Sequence, residues 1–69
     1  MNLQYLPHAR KRMEQRKISE AEVEACLQDH DILCFDKKGN PKYKTHVGGR
    51  YIKVVVSKDN PLVVITVED

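Results

Sequence analysis

A histidine and two arginines near the start of the chain have the spacing of one helical face. His8, Arg12 and Arg16 lie four residues apart, and side chains at that spacing project from one side of an α-helix. Histidine transfers protons near neutral pH, and arginine binds phosphate oxygens through two parallel hydrogen bonds. These residue types suit RNA cleavage without metal, in which two groups move protons and cations stabilise the phosphate. An exposed basic helix face with an incidental histidine has the same pattern, so both interpretations stand.

A second basic group lies further along the chain, on two predicted strands and their hairpin. Its members are Lys42, Lys44, His46, Arg50 and Lys53. Tyr43 and Tyr51 lie among them, and aromatic rings beside basic side chains stack on unpaired nucleobases. Arg50 follows a Gly-Gly pair, where the backbone is open enough for a phosphate to approach. Lysines that solvate a sheet edge explain the same residues without a ligand.

The small net charge of +2 conceals bands of opposite sign. Residues 1–17 contain five basic side chains and one acidic, residues 18–31 contain five acidic and no basic, and residues 32–53 contain six basic and one acidic. If the two basic bands meet after folding, they form a surface that binds RNA or another polyanion by counterion release. A solvated surface of mixed charge is the alternative.

The two cysteines predict neither a disulfide framework nor a metal site. Cys26 and Cys34 lie in apolar patterns, which indicate buried, reduced thiols. His30 and His46 are the other candidate ligands, but the chain lacks the Cys-x-x-Cys spacing of common zinc sites. We therefore expect no metal and no other cofactor.

Helix and turn signals divide the chain into two helices followed by four strands. Ser19 and Glu22 have the spacing of a capping box, and Ile18 and Val23 that of a hydrophobic staple. The predicted elements are helices over about 7–17 and 19–30 and strands over about 32–36, 42–47, 51–57 and 62–68. This order predicts an α+β fold in which two N-terminal helices pack on one face of a four-stranded antiparallel sheet.

Period-two alternation assigns the strand residues to two faces. The core face is predicted to contain Ile52, Val54, Val56, Val63, Ile65 and Val67, and the other face Tyr51, Lys53, Val55, Leu62, Val64 and Thr66. The segment 32–35 is predicted to be a short buried strand. A sheet face that mixes tyrosine, lysine and threonine with aliphatic residues is a binding surface or the contact of a partner chain.

Chain length limits the protein to one hydrophobic core. A chain of 69 residues buries only about 60% of the surface that its unfolded form exposes. No apolar run approaches the roughly 18 residues of a membrane span, and the N-terminus lacks the pattern of a signal peptide. We expect a single cytoplasmic domain that does not contact a membrane.

Most of the chain resembles a small bacterial family called domain of unknown function 4258. The resemblance rests on residues 8–13, 15–16, 18–23, 47–50, 52–56 and 63–67. It implies a fold related to the barnase, colicin and RelE ribonuclease toxins, many of which cleave RNA without metal in toxin–antitoxin systems. The residues that match the family's polar positions are His8, Arg12, Arg16, Arg50 and Thr66. The chain ends in Glu68-Asp69 and lacks the terminal basic and aromatic residues of RelE, so ribosome-dependent cleavage of that type is not expected.

Three hypotheses about function follow. In the first, the chain is a toxin-like endoribonuclease: His8 is the general acid or base, Arg12 stabilises the phosphate, and Thr66 orients a phosphate or water. Its RNA-binding residues are then Arg16, Tyr43, Arg50 and Lys53. In the second, the basic surface binds nucleic acid without catalysis. In the third, the domain binds an antitoxin or a second copy of itself.

Overall fold

The computed structural model describes residues 2–69, which form two helices and five strands. The elements are β1 (Gln4–Tyr5), α1 (Pro7–Arg16), α2 (Glu20–Gln28), β2 (Ile32–Phe35), β3 (Pro41–Val47), β4 (Arg50–Val56) and β5 (Val63–Glu68). The strand order is β1-β5-β4-β3-β2. The predicted α+β class is confirmed: both helices pack on one side of the sheet. Within residues 2–69, no helix is long and apolar enough to cross a membrane.

The sheet has five strands, so the prediction of a four-stranded antiparallel sheet was wrong by one strand. The additional strand, β1, pairs in parallel with β5. The Gln4 N–H donates to the Leu62 carbonyl at 2.8 Å, and the Leu6 N–H donates to the Val64 carbonyl at 3.0 Å. A two-residue strand has no periodicity to detect, which is why the pattern did not indicate it.

The helix signals in the sequence correspond to the observed helix ends. The Ser19 hydroxyl accepts from the Glu22 N–H at 3.1 Å, and the Glu22 carboxylate accepts from the Ser19 N–H at 2.9 Å. This confirms the capping box. Helix α1 ends at Arg16, and Lys17 follows in the left-handed conformation with φ of 56°. Helix α2 ends at Gln28, two residues before the predicted end.

A β-bulge changes which residues of β5 face the core. Val55 pairs with Thr66 while the next residue, Val56, pairs with Val64, so Ile65 has no partner on β4. The extra residue turns Val64 toward the helices, where it is fully buried beside Val67. The prediction of Val63 and Ile65 as core residues was therefore wrong, whereas the core positions on β4 are confirmed.

Strand β2 is an exposed edge strand, in contrast to the buried strand that its apolar sequence predicted. Ile32 and Leu33 are 46% and 47% exposed, and Phe35 is 64% exposed. The helices pack on β3, β4 and β5, and β2 lies at the edge beyond them. Cys34 is therefore half-buried, and only Cys26 is a fully buried thiol.

A side-chain network fixes the turn between β2 and β3. The Asp36 carboxylate accepts hydrogen bonds from the backbone N–H groups of Lys38 and Asn40, at 2.9 and 2.8 Å. The Asn40 side chain in turn accepts from the Lys58 N–H at 3.0 Å. The hydrogen bonds from Asn40 lower the pKa of Asp36 below its ordinary value. The turn that carries Lys37 and Lys38 is thus tied to the turn between β4 and β5.

Candidate nucleic-acid interface

The outer surface of α1 forms a shallow basic groove. His8, Lys11, Arg12 and Gln15 line a concavity of about 280 Å³. Helical spacing brings these side chains together, because residues three and four apart are neighbours on a helix surface. The groove contains two of the three predicted catalytic residues, His8 and Arg12.

The third predicted catalytic residue, Thr66, lies on the other side of the sheet. Thr66 is the cross-strand partner of Val55, and Val55 alternates with the core residues Val54 and Val56. Thr66 therefore projects away from the helices. The described structure does not bring Thr66 to the groove that contains His8 and Arg12.

Arg50 is bound to the C-terminal end of α1. Its Nη1 donates to the carbonyl oxygens of Arg16 and Lys17 at 2.8 and 3.0 Å. Its Nε lies 4.0 Å from the Glu22 carboxylate, so one guanidinium contacts both helices from the start of β4. A cation at this place satisfies the last carbonyl groups of a helix and interacts favourably with the helix dipole.

His8 and Arg50 do not meet in space. Arg50 contacts the carbonyl of Arg16, and Arg16 is eight positions along the helix from His8, which is about 12 Å along the axis. The Arg16 side chain also has a partner at this end, because its Nε lies 3.7 Å from the Asp69 carboxylate. The contacts of Arg50 indicate a structural role at this end of α1, and its phosphate contact stays a prediction.

Replacement of Arg50 by alanine is expected to destabilise the fold by about 2 kcal/mol, or roughly 10 °C in Tm, because two charge-assisted hydrogen bonds are lost. Thermal unfolding followed by circular dichroism measures the effect. Arg16→Ala is the matched control: it removes an exposed ion pair, which is worth less than about 1 kcal/mol. Equal Tm values for the two variants would contradict the structural role of Arg50.

The open face, defined as the sheet surface opposite the helices, contains every member of the second basic group except Arg50. Register and alternation place Lys42, Lys44 and His46 of β3 and Tyr51, Lys53 and Val55 of β4 on it. Thr66 and Glu68 of β5 continue the same surface. The open face and the groove on α1 lie on opposite sides of the sheet, so the basic residues of these two places do not form one surface.

Two lysines lie directly opposite each other at the centre of the open face. Lys44 and Lys53 are cross-strand partners, and like charges in this arrangement destabilise a sheet. Glu68, the partner of Lys53 on β5, is the acidic neighbour in this row. This row of cross-strand neighbours therefore has a net positive charge. Sheet stability would favour a neutral pair or a pair of opposite charges at the position of the two lysines.

An aromatic pair adjoins the two lysines. The rings of His46 and Tyr51 have centroids 4.7 Å apart with planes inclined at 42°. The His46 Nδ1 lies 3.4 Å from the Asp31 carboxylate, which helps to orient the imidazole. This pair lies two residues along the strands from Lys44 and Lys53, as the next pair on the same face. Flat rings and cations therefore lie side by side on one surface.

Tyr43 does not belong to this surface. It is the partner of the core residue Val54 and packs at the edge of the core. Its ring meets the His30 ring edge-on, with centroids 4.7 Å apart. Of the four predicted RNA-binding residues, only Lys53 lies on the open face.

The two cysteines differ in environment. The Cys26 Sγ donates weak hydrogen bonds to the carbonyls of Tyr43 at 3.6 Å and Ile52 at 3.8 Å. Burial, together with the charge of Asp31, raises the pKa of Cys26 from 9.0 to about 11. Among residues 2–69, no three histidine, cysteine or acidic side chains converge in the manner of a metal site.

Thiol labelling should separate the two cysteines. At mildly alkaline pH we expect a maleimide to modify Cys34 quickly and Cys26 only after unfolding, which mass spectrometry of the peptides resolves. Because the pKa of Cys26 is raised by folding, its contribution to stability is complete below pH 9 and is lost as the pH rises from 9 to 11. Equal labelling rates in the folded protein would contradict the burial of Cys26.

Comparison with known proteins identifies one family. The family model described as Domain of unknown function (DUF4258) matches residues 5–69. No curated protein and no solved structure matches the chain. The match begins at Tyr5, the last residue of β1, and extends past the end of β5, so it includes both the groove on α1 and the open face.

Proposed function

The chain belongs to the family Domain of unknown function (DUF4258), and we propose that it binds single-stranded RNA across the open face. The observation that supports this proposal is the placement of Lys44 opposite Lys53 beside the aromatic pair of His46 and Tyr51. Each feature has a distinct role in such a complex.

The lysines would bind the phosphate backbone. Lys44 and Lys53 are half-buried and lie opposite each other, so their aliphatic stems lie along the sheet while their ammonium groups reach solvent. A phosphate between the two ammonium groups would relieve their repulsion and release counterions from the nucleic acid. The unfavourable like-charge pair thus becomes favourable when the anion is bound.

The aromatic pair would stack on bases. Stacking requires an unpaired base, because the face of a base in a duplex is covered by its neighbours. A sheet surface also cannot enter the deep, narrow major groove of duplex RNA. These two constraints favour single-stranded RNA over a duplex of the same sequence.

Fluorescence anisotropy with a labelled single-stranded RNA tests the proposal. We expect binding that weakens with rising salt, and weaker binding to the matching duplex at each salt concentration. Tyr51→Ala should lower the affinity for the single strand about tenfold, because stacking on one aromatic ring is worth about 1–3 kcal/mol. An affinity that does not depend on salt concentration, or an unchanged affinity of the Tyr51 variant, would refute the proposal that the open face binds RNA.

The groove on α1 favours a second candidate function, the metal-independent ribonuclease of the toxin type. His8 and Arg12 lie in one groove, as a proton-transfer group and a phosphate-binding group would. Lys11 and Gln15 are its other lining residues. Cleavage needs two groups that exchange protons, and in this candidate Lys11 would be the second, with one group taking the 2′-hydroxyl proton and the other giving a proton to the leaving oxygen. No comparison relates the chain to RelE, barnase or colicin toxins, so this candidate depends on the groove alone.

The ribonuclease candidate predicts RNA cleavage in the presence of a chelator. His8→Ala should abolish that cleavage, because the groove has no other imidazole. Lys38→Ala is the control, since Lys38 is exposed in the turn between β2 and β3, outside both the groove and the open face, and should be dispensable for cleavage. Gel analysis of labelled RNA measures both variants. Intact RNA after incubation with the parent protein would eliminate this candidate and leave RNA binding as the proposed activity.

A further inference from the structure

The outer edge of β2 has the properties of a strand that pairs with another chain. Among residues 2–69, no strand pairs with this edge. Leu33 and Phe35 are 47% and 64% exposed there, and β2 contains none of the charged residues or prolines by which edge strands commonly avoid association.

The hydrogen-bonding groups of this edge can be assigned from the pairing with β3. The Asp36 N–H donates to the Asn40 carbonyl at 3.0 Å, so Asp36 belongs to a hydrogen-bonded pair. Because such pairs alternate along an antiparallel ladder, Cys34 also directs its backbone groups toward β3. Leu33 and Phe35 therefore direct their N–H and C=O groups outward, away from the sheet.

We propose that β2 pairs antiparallel with β2 of a second copy of the chain. In the pairing with the most hydrogen bonds, Leu33 lies opposite the partner's Phe35, and Phe35 lies opposite the partner's Leu33. Both are hydrogen-bonded pairs, and together they supply four N–H···O=C bonds across the interface. The apolar side chains that the single chain exposes are then covered by their counterparts.

Charge complementarity favours a second copy of the chain as the partner of the β2 edge. Strand β2 is preceded by Asp29 and Asp31 and followed, after Asp36, by Lys37 and Lys38. Antiparallel pairing about Cys34 brings Asp31 opposite the partner's Lys37, and symmetry repeats the contact at the other end. Parallel pairing would instead place the acidic ends together and the basic ends together.

The same register makes Cys34 a reporter of the interface. Cys34 lies on the two-fold axis, opposite the partner's Cys34, in a non-hydrogen-bonded pair. The Cα atoms of such pairs are about 4.5 Å apart, which is within the range of about 4.4–6.8 Å that a disulfide spans. Cys26 is fully buried and cannot form this link.

Sedimentation equilibrium over a wide concentration range tests the proposal. We expect a reversible dimer, and we expect Phe35→Lys to weaken it at least tenfold, because each dimer loses two apolar contacts and gains two charges. Leu62→Lys is the matched control: Leu62 is similarly exposed but lies in the turn before β5. A parent protein that stays monomeric at the highest concentration would overturn the proposal, as would equal dissociation constants for the two variants.

Charge exchange and cross-linking test the register. Lys37→Asp should weaken the dimer by placing two carboxylates opposite each other, and the addition of Asp31→Lys should restore it. Mild oxidation should link the parent through Cys34, with no covalent dimer from Cys34→Ser. Dimerisation without the Cys34 link, or without restoration in the double variant, would show that another surface is responsible. These measurements contain no RNA, so their outcome is independent of the proposed RNA binding.

Discussion

Replacement of Lys44 and Lys53 by alanine is expected to lower the affinity for single-stranded RNA without destabilising the fold. Each lysine that neutralises a phosphate contributes about 0.7 to the slope of log affinity against log salt for a single strand, so the loss of two reduces the slope by about 1.4. The stability should change by no more than a few tenths of a kcal/mol, because removal of the like-charge pair is offset by loss of the pairing of Lys53 with Glu68.

A second double variant separates this effect from net charge. Lys38→Ala with Lys58→Ala removes the same charge from two exposed lysines in turns. It should leave the slope nearly unchanged, because neither lysine lies on the open face. Anisotropy titrations at several salt concentrations, together with Tm, compare the two variants. Equal slopes would mean that affinity follows net charge, and the open face would lose its special role.

A large effect on stability is expected at Val64. Val64→Ala should cost about 2 kcal/mol, or roughly 10 °C in Tm, since the residue is fully buried and its truncation leaves a cavity. Ile65→Ala removes more atoms from a half-buried side chain and should cost less. The comparison tests the β-bulge, because simple alternation of β5 predicts the reverse order. Chemical denaturation of both variants measures the difference, and a larger loss at Ile65 would contradict the bulge.

Local signals in the sequence predicted the elements whose causes are themselves local. The capping box at Ser19 and Glu22 depends on residues three apart, and it starts α2 as expected. The Gly48-Gly49 turn, with φ values of 56° and 84°, sets the pairing of β3 with β4. The pairing of β1 depends on β5, which is distant in sequence, and the position of Ile65 depends on the register between β4 and β5, so period-two alternation contained no signal for them.

The candidate site was predictable to the same extent. Helical spacing placed His8 and Arg12 in one groove, as expected. The opposition of Lys44 and Lys53 follows from a two-residue hairpin, so the sequence contained the signal for the open face. No sequence pattern could show that Arg50 binds the end of α1, because that contact joins residues 34 and 33 positions apart.

Chemical-shift mapping of the isotope-labelled protein during titration with single-stranded RNA tests the central claim most directly. It reports contacts residue by residue and separates the two basic surfaces without mutation. We predict that the largest amide shifts occur at Lys44, His46, Tyr51 and Lys53 on the open face. Shifts confined to the groove of His8 and Arg12, or no shifts at saturating RNA, would contradict the claim that the open face binds RNA.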